Sequence, residues 1–294
     1  MARAVVPAAE EILDQEFPVL DKGFVRMVDY MGSDDRIVQA ARVSYGSGTK
    51  SFRQDKALIH YLLRNWHTSP FEQVQVTFHV KMPIFVARQW IRHRTARLNE
   101  ISGRYSVMKD EFYVPDPSNI CLQSSDNKQG RGEVMAPSEA KKVIDLMRAE
   151  QAAIYANYER MLEMGVAREL ARSDLPLALF TEFYWQIDLH NLFHFLRLRL
   201  DAHAQYEIRV YAEVMAECAK RVVPIAFEAF EEHILGSVTF SRAECDALLS
   251  LMNSEEHALE GRSKDIFESK LERLRENKLE IVEDERNAAE TSNV

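Results

Sequence analysis

The residues best suited to chemistry lie between Arg88 and Tyr105, where the chain reads RQWIRHRTARLNEISGRY. That stretch gathers five arginines and a histidine into a protein whose formal net charge is −9. A guanidinium is always charged, and its planar fork holds phosphate or carboxylate through paired, charge-assisted hydrogen bonds. The chemistry on offer is anion binding and stabilisation of charge that develops during a reaction. Read as a helix, the segment puts Arg88 and Arg92 on one face, whereas Arg92, His93 and Arg94 fan out by about 100° each. Such a fan suits two ligands, or one long ligand and its neighbour, better than one small anion. Past the helix, Asn99, Glu100, Ser102 and Arg104 surround Gly103 in a turn whose amides and hydroxyl can hold a phosphate.

An arginine-rich helix is ordinarily a solvated face paired with acidic residues. Such a face has no use for Trp90 and Ile91 between the charges, or for the polar turn that follows. A nucleic-acid helix is disfavoured by the acidic total and by the lack of any recognised DNA- or RNA-binding module. A second basic set lies downstream, where Arg168, Arg172, Arg197, Arg199 and Arg209 accompany His190, His194 and His203. Arg197 and Arg199 fall on different faces of a helix, so at least one turns inward and needs an anionic or strongly accepting partner, which a ligand could supply. His79 and His203 read as structural. No metal site is expected, because HExxH and finger-type cysteine and histidine pairs are absent.

The elements that must position these groups follow from periodicity. Residues 1 to 20 read as an arm, and residues 24 to 31 alternate as a strand ended by Gly32-Ser33-Asp34-Asp35. Helices fit residues 37 to 43 and 52 to 65, separated by a Tyr45-Gly46-Ser47-Gly48 loop that carries no nucleotide motif. Val74, Val76, Phe78 and Val80 alternate with polar residues as a half-buried strand. Pro83 then suits the first turn of a helix over 84 to 96. Residues 104 to 114 read as extended and 115 to 137 as a polar surface loop. A long helix spans 138 to 164 with Gly165 as its cap, and further helices fit 167 to 172, 181 to 199 and 202 to 221. The charged tail from Asn253 reads as a solvated helix or loose extension. The 46% apolar content supports a full core. Three scattered cysteines, with no signal-type segment or bilayer-length apolar run, point to a soluble protein of the reducing cytoplasm with no membrane partner.

Arg92-His93-Arg94, seven residues and then Ser102 match the RHR-x7-S signature of flavin-dependent thymidylate synthases, and the match continues through Asn99-Glu100 and Arg104-Tyr105-Ser106. The resemblance runs from about Asp21 to Phe230 and takes in ARVSY, HTSPFE, FHVKMPIFVARQW and HFLRLRLDAHAQYEIR. It implies an α/β fold of the α+β kind, an antiparallel central sheet flanked by helices, in a homotetramer whose active sites are shared between subunits. The catalytic domain would occupy residues 21 to 235, followed by a charged, helical extension over 236 to 294. By the same resemblance, FAD is gripped by Arg92, His93 and Arg94 with His67, Ser69 and Glu100, and by Asp188, Leu189, His190 and His194 on a helix. The substrate dUMP would be held by Gln89, Trp90, Ile91, Arg92, Glu100, Ile101, Ser102, Gly103, Arg104, Arg172 and Arg199.

The implied reaction is reductive methylation of dUMP to dTMP, with methylenetetrahydrofolate giving the carbon and NADPH reducing the flavin. Arg199 is the implied catalytic residue, set against the pyrimidine to favour its ionised form. Ser102 is assigned to binding rather than attack, since no base is identifiable beside it. Arg97 departs from the serine of the extended motif, Asp188 stands where some members have asparagine, and His194 is one of two residue types found at its place. The rivals are a nucleotide- or RNA-binding protein that kept this scaffold without turnover, and an NADPH oxidase-like flavoenzyme.

Overall fold

A sheet with one apolar and one polar face organises the larger part of the chain. The computed structural model describes residues 5–43, 52–125, 130–252, 257, 259–261 and 264–272. It divides into two units, Met1–Phe230 and Glu231–Val294. The first begins with a helical turn, α1 (Pro7–Glu10), strands β1 (Glu16–Val19) and β2 (Gly23–Met31), and helices α2 (Asp34–Arg42) and α3 (Phe52–Arg64). Strand β3 (Gln75–Pro83), helix α4 (Ile84–Trp90), strand β4 (Ala96–Glu100) and the strands β5 (Cys121–Gln123) and β6 (Arg131–Val134) follow. Helices α5 (Pro137–Glu163) and α6 (Arg168–Ala171) lead to strand β7 (Phe180–Asp188), and α7 (Leu189–Arg199), α8 (Tyr206–Val222) and α9 (Pro224–Phe230) complete the unit.

The sheet runs β1-β2-β3-β7-β4, and every neighbouring pair is antiparallel. Strands β3 and β4 therefore run the same way with β7 between them, and α4 makes the crossover that a parallel relation requires. Val25, Met27, Val76, Phe78, Val80, Phe183, Trp185 and Ile187 point to one face and are almost wholly inaccessible. Helices α4, α7 and α8 lie against these strands. Trp90 is completely buried there, its ring 5.3 Å from Trp185, 4.7 Å from Phe195 and 6.1 Å from Tyr211. On the polar face His79 stacks on Tyr184 at 4.6 Å and its Nδ1 lies 2.9 Å from an Arg26 nitrogen, a structural setting for this histidine.

Several expected elements differ. Residues expected as an arm supply α1 and the edge strand β1. The helix read over 84 to 96 ends at Trp90, with Ile91 as its cap, because residues 96 to 100 pair with β7 as an edge strand. The 100° fan of Arg92, His93 and Arg94 is therefore corrected. Residues 180 to 188, read mostly as helix, form β7, the strand between β3 and β4. Phe180, Phe183 and Ile187 satisfy helical spacing, yet Phe183, Trp185 and Ile187 satisfy strand spacing too, and pairing on both sides decides between them. Residues 104 to 114 make turns and a single bridge, Phe112 to Leu179, rather than a strand. The polar loop over 115 to 137 contains the β5–β6 hairpin. The Tyr45-Gly46-Ser47-Gly48 loop lies outside the described residues. Gly165 ends α5 with φ +82°, the left-handed cap that glycine allows.

In the second unit α10 (Arg242–Met252) starts at Ser241, whose amide donates to Glu244 at 2.6 Å while the Glu244 amide donates to the Ser241 hydroxyl at 3.4 Å, a capping box. Lys270 donates to the same carboxylate at 2.6 Å, so this part of the tail is folded.

The Tyr211 hydroxyl donates to the carbonyl of Lys81 at 2.7 Å, directly over Gly23, where a Cβ would collide with that hydroxyl. Gly23→Ala is expected to cost about 1–3 kcal/mol through overpacking, read as a lower thermal unfolding midpoint; an unchanged midpoint would contradict this packing.

Candidate active site

Helix α7 ends on Arg199, and its last turn brings that side chain to the end of α4. Arg199 Nε donates to His93 Nε2 at 3.1 Å, and a terminal nitrogen donates to the backbone carbonyl of Gln89 at 3.2 Å. Arg197 points outward and is exposed, so Arg199 is the inward member of the pair. Both acceptors are uncharged, and no carboxylate pairs with Arg199 among the described residues. Burial lowers the Arg199 pKa, the expected direction for a cation withdrawn from water.

His93 is half-buried, its ring 4.7 Å from Phe195 and 5.9 Å from His194. Burial first, then the Arg199 charge and His194, push its pKa down to about 4. The ring is neutral near pH 7, with the proton on Nδ1, because Nε2 must accept from Arg199. Arg92 and Arg94 on either side are exposed and make no ion pair or side-chain hydrogen bond among the described residues. The motif therefore turns its histidine inward and its two arginines outward. Thr95 fixes the loop by donating to Asn191 Oδ1 at 2.6 Å, and Asn191 donates through its amide group and backbone to the Asp188 carboxylate at 2.7 and 2.9 Å. Asp188 is the last residue of β7 and the cap of α7 rather than a helical residue.

A second cluster borders a cavity of about 480 Å³ lined by Arg88, Ile91, Glu100, Gly103, Arg172 and Thr181, among others. Thr181, almost wholly buried, donates to Glu100 at 2.5 Å, while Ile101 donates its amide to the Glu182 carbonyl at 2.9 Å. Gly103 lets Arg172 close in, since a Cβ there would be 2.9 Å from Arg172 Cδ. Ser102 Oγ accepts from the Arg104 amide at 3.3 Å, and Arg104 Nε lies 3.1 Å from Glu169. No imidazole or carboxylate is bonded to the Ser102 hydroxyl among the described residues.

Thus the fold joins Gln89, His93, His194 and Arg199 in one cluster and Ile91, Glu100, Ile101, Gly103 and Arg172 in another. Ser69 borders a separate shallow cavity with Arg36 and Gln73, while His67 is exposed and packs edge-on to Tyr61 at 5.7 Å. His190 is partly exposed in the first turn of α7. The side chains of Trp90 and Leu189 are core residues with no exposure, which corrects them as side-chain ligand contacts. Sequence reasoning counted Arg88 in the arginine cluster without giving it a ligand, and did not single out Thr181, which lines the cavity, or Gln205, which bonds the Gln89 side chain. Only the DAHAQYEIR segment carried a signal for the last of these.

The His93 proton gives a pH test. Its folded pKa of about 4 lies below the ordinary 6.5, so its contribution to stability is complete above about pH 6.5 and falls as pH drops toward 4. His93→Gln, which keeps an acceptor without titrating in this range, is expected to flatten that part of the stability profile. NMR titration showing the His93 ring protonating near pH 6.5 would contradict the buried, Arg199-bonded setting.

Residues 26–225 match the family described as "Thymidylate synthase complementing protein", and residues 238–277 match "Thymidylate synthase ThyX C-terminal domain". The chain is 62% identical over 260 residues to a flavin-dependent thymidylate synthase of Treponema denticola, covering 88% of this chain and 98% of the relative. It is 56% identical over 272 residues to that of Treponema pallidum, covering 92% and 89%. A crystal structure of the UMP/dUMP methylase PolB from Streptomyces cacaoi, bound with 5-Br dUMP, superposes with a TM-score of 0.68 at 32% identity, covering 74% of this chain and 99% of that one. With the antiparallel sheet, the inward Arg199 and the RHR loop in place, this chain belongs to the flavin-dependent thymidylate synthase family.

Proposed function

We propose that this protein converts dUMP to dTMP in the cytoplasm, taking the carbon from methylenetetrahydrofolate and the reducing power from NADPH through FAD, as a homotetramer with shared sites. The observation that carries the reading is Arg199, a half-buried cation whose bonding partners, His93 Nε2 and the Gln89 carbonyl, leave its charge uncompensated. Such a charge favours a ligand that becomes anionic beside it. A uracil ring is that kind of ligand, because ionisation at its N3/O4 edge makes C5 electron-rich enough to attack a carbon donor.

The residues present suit FAD. Arg92 and Arg94 are exposed and make no ion pair among the described residues of an acidic protein, a donor set matched to a diphosphate. The proposed FAD contacts are Arg92, His93 and Arg94, with His67, Ser69, Glu100, His190 and His194, and the backbone near Asp188 and Leu189. When bound, the flavin supplies the hydride that ends on the new methyl group. The chain's own residues bind and orient. Gln89, Arg92, Glu100, Arg172 and the 101–104 turn hold dUMP, with the arginines meeting its phosphate, and neutral His93 holds Arg199 in place without cancelling its charge. In a single chain Arg92 and Arg94 face solvent, while Arg172 faces the 480 Å³ cavity. Completion of each site by residues of other copies accounts for this separation.

Purified protein is expected to be yellow and to release tritium from C5-labelled dUMP only with folate and NADPH present. Arg199→Ala is expected to remain yellow and lose at least about 10²-fold in turnover. Turnover that survives this substitution would end the assignment. Arg94→Ala is expected to give paler protein at equal helical content, and full flavin occupancy would remove Arg94 from the cofactor site. Sedimentation velocity should show four copies per particle.

A further inference from the structure

Glu207 lies at the start of α8, only 3% exposed, and none of the roles above uses it. Its carboxylate accepts from Arg131 at 2.5 Å through both oxygens, from the Tyr113 hydroxyl at 3.0 Å, and from Gln205 Nε2 at 2.8 Å. Burial raises its pKa, but hydrogen bonds from Arg131 and Gln205 outweigh burial and leave it lowered, so the group is ionised at neutral pH. Gln205 in turn meets the side chain of Gln89, Nε2 of Gln89 donating to Oε1 of Gln205.

The direction of this relay is dictated by chemistry. An ionised carboxylate can only accept, so the end of the Gln205 amide that faces Glu207 must be its NH2. The other end, its carbonyl oxygen, then faces Gln89 and can only accept. The Gln89 amide is thereby forced to turn its NH2 toward Gln205, and its own Oε1, which has no partner among the described residues, is directed elsewhere. We propose that Glu207 is a positioning residue for nucleotide binding: acting through Gln205, it holds the Gln89 amide in one of its two flipped orientations. The nucleotide then meets a fixed pattern of one carbonyl oxygen and one remaining N–H, on the residue whose backbone carbonyl also receives Arg199. This rests on the reading of Gln89 as a dUMP contact.

The experiment compares KM for dUMP, kcat and the thermal midpoint in flavin-loaded Gln89→Leu, Gln205→Leu, Glu207→Gln and the double variant Gln205→Glu/Glu207→Gln. Glu207→Gln frees the relay to flip and is expected to raise KM about tenfold with kcat within about twofold, the pattern of lost uniform binding. The double variant places an acceptor-only carboxylate at position 205, forcing Gln89 to donate again, and should bring KM back to within about threefold of the parent. It does not restore the Arg131 ion pair, so its thermal midpoint should stay low. Gln205→Leu breaks the relay at an exposed position without touching the Glu207–Arg131 pair, and should raise KM even if Glu207→Gln folds poorly.

A KM that stays raised in the double variant, in step with the low midpoint, would show that Glu207 serves only the fold and would overturn the proposal. So would an unchanged KM in Gln205→Leu alongside a raised one in Gln89→Leu. An unchanged KM in Gln89→Leu would instead overturn the assignment of Gln89 to the nucleotide, and the relay with it.

Discussion

A positive charge held away from water by neutral acceptors is the constraint on which the site depends. Arg199 could have been quenched by a carboxylate, as Arg42 is by Asp55 and Lys81 by Glu111 elsewhere in the unit. Instead it meets an imidazole nitrogen and a backbone carbonyl, both of which satisfy its N–H groups without offsetting its field. That arrangement needs α4 to end where it does, so that the Gln89 carbonyl is free of a further helical turn. It needs α7 to be capped and anchored at Asp188 so that its eleventh residue arrives beside His93. The aromatic packing of Trp90, Trp185 and Phe195 fixes both helices to the sheet.

Two acids near the site show the complementary tactic. Glu207 and Asp188 do not face the cationic cluster directly; each also accepts from an amide side chain, Gln205 or Asn191, whose far end then reaches toward the site, while Glu207 is ion-paired with Arg131 away from it. In both cases the charge is kept at one remove, and what is transmitted is hydrogen-bond polarity. An acidic protein can thereby surround an anion site without filling it with carboxylates.

Much of the β2 and β3 strands was legible, because one buried face imposes a period of two that polar residues such as Thr77 and His79 keep unambiguous. The inward choice between Arg197 and Arg199 was legible from spacing only as a requirement, while Arg199 as the member that meets it came from the family resemblance. What could not be read locally was the β7 strand, since its aromatic residues satisfy both periods and only its two neighbours, distant in sequence, decide. The early end of α4 has the same origin: nothing in Ile91 or Arg92 forbids helix, and pairing of Ala96 with Ile187 overrides propensity. The Gln89, Gln205 and Glu207 relay was invisible because its members lie on α4 and at the start of α8, and hydrogen-bond direction has no sequence period.

The sheet order also has a kinetic consequence. β3 and β4 flank a strand that leaves the ribosome long after both, so β4, just past the RHR loop, stays unpaired through much of synthesis, and the central sheet closes only once β7 inserts between them. Closure of the sheet therefore waits on non-local pairing, and during that interval the unpaired edges of β3 and β4 are the surfaces most open to pairing with another chain. Arg97 and Glu100 on β4 place charges on that vulnerable edge, where they discourage pairing with another chain.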